Sequence, residues 1–419
     1  MFVKMPFATP PARPTKSLPP AGCPRSKPGE LWRLRKTLYG LRRSPRHWYE
    51  LIRSVFADLG LTPCPHAPSV FNGSPLPGQP PIYIAVYVDD LAYFSASDAV
   101  ESWFETALQS KLRVTLMGEI EWFLGTHYQW THHPSGNVSV AMTQSSTIQS
   151  LLDVNGLSDC KPVPTPYRSG LPVDALPKTD APPPGTLTQR YQSLVGSLNW
   201  LAVSTRPDLS AIVSILSSYL HAANDAHFDS ALYVLRYLAG TITKGVGFSS
   251  LPNTALHSFL SFPPGGPPVP HDSASCFTDS CWGPQDASEP GPNPPDIPMH
   301  VTRSIGGFIV FRCGGPIAWS ARREARTSRS SCEAEIKATD EATKEVQYLR
   351  LILEDLSLSD ADAPIPVWND NKGAIDWSRT RSTKRLRHYN IRENAIREAI
   401  QHREITLSHI FGKGNPADL

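Results

Sequence analysis

Asp89 and Asp90 stand side by side between two apolar runs, Ile82-Tyr-Ile-Ala-Val-Tyr-Val88 and Leu91-Ala-Tyr-Phe94. The runs read as buried β-strands, with the acids at the turn that joins them. Two charges at such a turn must be solvated, paired or bound to cations. Asp-rich turns are common in ordinary hairpins, so a plain structural turn is the competing reading. The aromatic-x-Asp-Asp order of Tyr87-Val-Asp-Asp90, with apolar strands on both sides, points instead to metal chemistry. Nucleotidyl transfer uses two Mg²⁺ ions held by carboxylates, and hard oxygen ligands suit Mg²⁺.

The cations are grouped although the net charge of the 419 residues is only +2. Arg33, Arg35, Lys36, Arg42, Arg43 and Arg46 form one cluster; Arg322, Arg323, Arg326 and Arg329 a second; Arg379, Arg381, Lys384, Arg385 and Arg387 a third. Clustered cations near aromatic residues suit a phosphate backbone; solvated helix and loop faces are the alternative. Seven cysteines without a CxxC pair argue against a disulfide framework or zinc module and for a reducing compartment. The longest apolar run, residues 82–88, is too short to span a bilayer, and the N-terminus lacks an apolar signal core. These features predict a cytoplasmic or nuclear protein.

The elements that must position these residues follow from periodicity and from the 42 prolines, about twice the usual share. Proline-rich stretches at 8–28, 162–184 and 252–298 read as extended connectors. Between them the pattern predicts helical character over 31–60, strands at 82–88 and 91–94, a helix over 100–112, and strands at 121–130 and 138–143. Helices follow at 191–201, 209–220 and 226–238. The last part alternates: strands 274–278, 307–312 and 317–321, helix 331–356, strand 366–368, helices 373–378 and 391–401, strand 404–410. Alternation of this kind predicts an α/β (α+β) chain.

Leu38-Tyr-Gly-Leu-Arg-Arg-Ser-Pro-Arg-His-Trp-Tyr49, followed by Tyr87-Val-Asp-Asp90 and Ile120-Glu-Trp-Phe-Leu-Gly125, resembles the reverse transcriptase of copia-type LTR retrotransposons. Tyr191–Leu198, Thr205-Arg-Pro-Asp208 and Ala231–Thr241 resemble the helical region that follows that polymerase. The resemblance implies a palm in which Asp89 and Asp90 hold metal together with an earlier aspartate. In the family that aspartate precedes a segment like Phe2-Val-Lys-Met-Pro6, so a polymerase truncated at its front and inactive by itself is expected.

The C-terminal part resembles the ribonuclease H of the same family. Phe277-Thr-Asp-Ser-Cys-Trp282, Ser304-Ile-Gly-Gly-Phe308, Gly314–Ser320, Ser330-Ser-Cys-Glu-Ala-Glu335, Trp368-Asn-Asp-Asn371 and Pro416-Ala-Asp-Leu419 carry the match. The resemblance implies four metal-holding acids: Asp279, Glu335, Asp370 and Asp418. Glu333 competes with Glu335, but two residues apart on a helix they point about 200° from each other, and only one can face the site. Glu335 is favoured because the helical run follows it as in the family. His388 matches a family histidine and is read as a structural or phosphate-contacting residue.

The resulting division is a proline-rich start (1–29), a partial reverse-transcriptase palm (30–165), a helical connection (166–251), a linker (252–273) and a ribonuclease H-like mixed-sheet domain (274–419). The expected activity is Mg²⁺-dependent hydrolysis of the RNA strand of RNA–DNA hybrids, with two ions per site and Mn²⁺ as a substitute. Arg42, Arg43, Arg322, Arg323, Lys384, Arg387 and His388 are expected to contact hybrid or template–primer, and other Pol or Gag products are partners by resemblance. In the parent family the protein works in virus-like particles. The alternative is a catalytically inactive or repurposed nucleic-acid-binding remnant.

Overall fold

The computed structural model describes residues 2–4, 40–167, 186–221, 223–251, 271–281, 303–358, 363–379 and 394–418. Contacts divide the chain into two compact units, Met1–Phe123 with Ile352–Leu358, and Leu124–Leu351 with Ser359–Leu419.

In the first unit, β1 (Phe2–Lys4), β2 (Thr62–Pro63), β3 (Val70–Gly73), β4 (Ile82–Tyr87), β5 (Asp90–Ser95) and β6 (Thr115–Gly118) form a sheet ordered β2-β3-β4-β5-β1-β6. A short strand β7 (Trp122–Phe123) ends the unit. Two helices, α1 (Ser44–Asp58) and α2 (Asp98–Lys111), flank the hairpin in sequence. Ile52, Val55 and Phe56 of α1 and Val100, Phe104 and Leu108 of α2 recur at helical spacing and pack with Ile82, Ile84, Leu91 and Tyr93. Three residues of the expected proline-rich start therefore lie in the sheet: Val3 pairs with Leu91 and Lys4 with Asp90.

The second unit opens with β8 (Thr126–His132) and β9 (Val138–Thr143), an antiparallel pair, followed by α3 (Ser145–Val154), α4 (Thr186–Ser204), α5 (Ser210–Ser217), α6 (Asp225–Ala239) and β10 (Val246–Ser249). β10 pairs with β9, so this stretch closes on itself over a hundred residues of chain. Ile148, Leu152, Tyr191, Leu198, Leu216, Val234 and Leu238 join α3–α6 in one apolar core. Helix α3 buries its apolar face with the later helices.

The C-terminal elements are β11 (Ser275–Cys281), β12 (Ile305–Arg312), β13 (Gly315–Arg323), α7 (Ser331–Asp355), β14 (Ile365–Asn369), α8 (Lys372–Arg379), α9 (Asn394–Gln401) and β15 (Ile405–His409). The sheet order is β13-β12-β11-β14-β15, antiparallel through the first three strands and parallel from β11 to β14 to β15. The two parallel joins need crossovers, and the helical segments supply them. Ile336, Ala342 and Val346 of α7 pack with Cys276, Val310, Val367, Ile375 and Ile396. The backbone at Gly306 lets α7 come close: a Cβ there would stand 3.1 Å from the Ala338 methyl.

Candidate active site

β11 and β14 run parallel, so their C-terminal ends open on the same edge of the sheet. Asp279 lies near the end of β11 and Asp370 one residue past β14. Glu335 stands early in α7, on the face turned toward the strands. Ligand oxygens of Asp279, Glu335 and Asp370 all lie within 4.8 Å of one another, and no other group of three His, Cys, Asp or Glu side chains among the described residues could hold a metal ion.

Three acids held this close resist ionisation. Burial pushes Glu335 up to about 7, reinforced by the charges of Asp279 and Asp370 and opposed by hydrogen bonds from Asn369 and Ser280. Burial likewise raises Asp279 to about 6, with the charges of Asp370 and Asp418 adding to the effect. Asp370 is raised by burial and by Asp418. Divalent cations would relieve the desolvation and the repulsion together, and an all-carboxylate donor set suits hard ions. The residues present therefore fit such ions.

Each Glu335 oxygen has a donor. The Ser280 N–H reaches Oε1 at 3.1 Å and the Asn369 amide reaches Oε2 at 2.9 Å. Glu333 faces elsewhere: it accepts from the Arg329 N–H at 2.8 Å and pairs with Lys337 at 2.9 Å. Its N–H is bonded by the Ser330 hydroxyl oxygen, so Glu333 serves the start of α7 in the manner of a helix cap.

Asp418 departs from the expected convergence. It is exposed and outside the group of three, although its charge reaches Asp279 and Asp370. The turn before it is fixed from Asn415, whose amide donates to the Thr278 carbonyl and whose side-chain oxygen accepts from the Ala417 N–H. Asp418 follows that turn at the exposed rim of the site.

Asp89 and Asp90, both half-buried, sit at the β4–β5 hairpin, where Tyr87 pairs with Asp90 across a two-residue loop. Val88 adopts φ 55°, a conformation strained for a β-branched residue. The Trp48 indole of α1 donates to the Val88 carbonyl and braces the turn. Among the described residues, no third ligand joins the pair within coordinating reach.

Of the expected nucleic-acid contacts, Arg42, Arg43 and Arg322 are exposed and Arg323 is half-buried. Lys384, Arg387 and His388 lie outside the described residues. Asn369 and Gly412 also shape the site, beyond the acids expected from the sequence. A Cβ at Gly412 would stand 3.1 Å from the Asp370 carboxylate, so glycine leaves that acid room. The available signal for Asn369 was a polar residue ending a strand just before an acid, a pattern equally typical of turns.

The first unit thus carries paired aspartates on a hairpin, and the second a mixed sheet with three acids converging at its edge. The family model described as reverse transcriptase (RNA-dependent DNA polymerase) matches residues 17–169. The retrovirus-related Pol polyprotein from transposon RE2 of Arabidopsis thaliana is 28% identical over 96% of this chain and 25% of its own length. An uncharacterized mitochondrial protein of the same plant is 30% identical over 61% of this chain and 90% of that protein. A solved foamy viral protease-reverse transcriptase in complex with dsDNA aligns over 90% of this chain and 60% of its own, with 14% identity and a TM-score of 0.44.

The chain belongs to the copia-type retrotransposon Pol family. It spans about a quarter of the length of the Arabidopsis transposon polyproteins it matches.

Proposed function

We propose that the C-terminal part of the chain, residues 274–419, is a Mg²⁺-dependent ribonuclease H that hydrolyses the RNA strand of RNA–DNA hybrids. The observation that carries this reading is the convergence of Asp279, Glu335 and Asp370 at one sheet edge. These three, with Asp418 at the rim, would hold the divalent cations. Bound there, two such ions supply activation of water and charge neutralisation at the leaving oxygen. The chain's own contribution is positional. β11 and β14 fix the separation of Asp279 and Asp370, and the Ser280 N–H and Asn369 amide aim the Glu335 carboxylate. Partial burial thins the surrounding water and strengthens each charge interaction.

Arg322 and Arg323, at the end of β13, and Lys384, Arg387 and His388 are assigned to the hybrid backbone. Recognition through phosphates and 2′-hydroxyls needs no base reading. Asp89 and Asp90 are the metal-holding pair of the polymerase palm, with Arg42 and Arg43 toward template–primer. The protein acts in the cytoplasm or nucleus; among the described residues no helix is long and apolar enough to cross a membrane. The second reading, a binding remnant without turnover, is favoured by Asp418 standing outside the trio.

The test is an end-labelled RNA–DNA hybrid incubated with the full chain in Mg²⁺ or in EDTA. Cleavage of the RNA strand with Mg²⁺ alone supports the nuclease. Binding of hybrid without cleavage in either condition selects the remnant.

A further inference from the structure

Asn369 is fully buried, and its backbone is locked between two neighbours, paired with Thr278 on β11 and with His409 on β15. Its side chain makes bonds in two directions. The amide nitrogen donates to Glu335 Oε2 and to the Thr278 hydroxyl, each at 2.9 Å. The amide oxygen accepts the Asn371 N–H at 2.8 Å, closing a turn around Asp370. That second bond fixes which way the amide faces, because an oxygen held by Asn371 leaves only the NH₂ for Glu335.

We infer that Asn369 is a positioning residue that ties Glu335 of the helix to the Asp370 turn of the sheet, setting the spacing of these two metal-holding acids. The inference rests on the nuclease reading above. The residue type fits the task. A neutral amide donates to a carboxylate without cancelling its charge, whereas Lys or Arg there would compete with a divalent ion and Asp would repel Glu335. Partners that orient first ligands alter metal affinity by about 10–100-fold when removed.

Mn²⁺ binding to the full chain, measured calorimetrically without nucleic acid, tests this beside unfolding in EDTA. Asn369→Leu, close in size but without polar atoms, should weaken Mn²⁺ binding at least about tenfold in protein that the EDTA unfolding curve shows to be folded. Asn369→Thr keeps a hydroxyl donor on the same strand face and should recover most of the affinity. Should Asn369→Leu not fold, Asn369→Asp, nearly identical in shape but lacking the donor, should show the same loss. Glu335→Gln is the control for the site. Wild-type affinity in the folded Leu or Asp variant, with Glu335→Gln impaired, overturns the positioning role and leaves the nuclease site standing. Wild-type protein that binds no Mn²⁺ overturns the nuclease reading, and this inference with it.

Discussion

Neutralising one acid of the trio should have opposite effects on chemistry and on stability. Glu335 sits at about 7 and Asp279 at about 6 in the folded protein, above their unfolded values. An acid with a raised pKa binds its proton more tightly folded than unfolded, so without divalent cation the protein loses stability as pH rises from about 4 to about 7. Glu335→Gln should therefore abolish hybrid cleavage, yet in EDTA at pH 8 unfold later than wild type, by on the order of 3 kcal/mol. The advantage should vanish near pH 4. Thermal unfolding at the two pH values checks it, and equal midpoints at pH 8 would count against a repelling cluster. Glu333→Gln is the matched control. It should leave cleavage almost unchanged and cost about 1 kcal/mol through the weakened helix start.

Among the elements, what could be read in advance tracks how local the cause is. The hairpin strands, helix α2 and the long helix α7 carry their own periodicity and were legible to within a few residues. The helical turn angle left room for only one of Glu333 and Glu335 at the site, and the choice of Glu335 came from the run that follows it, as in the family. Strand β10 was not legible, because four residues, Val246–Ser249, become a strand by pairing with β9 far earlier in the chain. Helix α3 and the short strands β3 and β6 went unread for a similar reason: each is brief and is completed by neighbours. The segment carrying Asp418 shows the limit for the site, since it is anchored by the Asn415 side chain bonding a distant strand.

Thr205-Arg-Pro-Asp208, readable only as a family signature, proves to be a buried clamp. Arg206, with no exposed surface, bonds Asp208 at 2.8 Å and the Thr241 carbonyl at 3.1 Å, and the Tyr237 hydroxyl also donates to Asp208. Removing one partner strands a buried charge, so Arg206→Ala should destabilise the protein by about 3–5 kcal/mol, seen as an earlier denaturant midpoint. A shift below about 1 kcal/mol would place Arg206 among surface-like pairs instead.

Across the whole molecule, the two acid sets should behave as independent sites. Asp89 and Asp90 belong to the unit of residues 1–123, whereas Asp279, Glu335 and Asp370 belong to the other. Metal-ion chemistry acts through ligands in direct contact with the ions, and coupling between separate sites needs an element with two alternative arrangements. Asp89→Asn should therefore leave Mg²⁺-dependent hybrid cleavage unchanged, while Asp279→Asn abolishes it. Primer extension gives the other half of the comparison. Any extension of a DNA primer on an RNA template should depend on Asp89 and survive Asp279→Asn. The measurement is a single incubation of labelled primer–template and labelled hybrid with wild type and the two variants. Extension by wild type that disappears in Asp89→Asn would show the hairpin to be a complete polymerase site. Loss of cleavage in Asp89→Asn would show that the two sites are energetically linked.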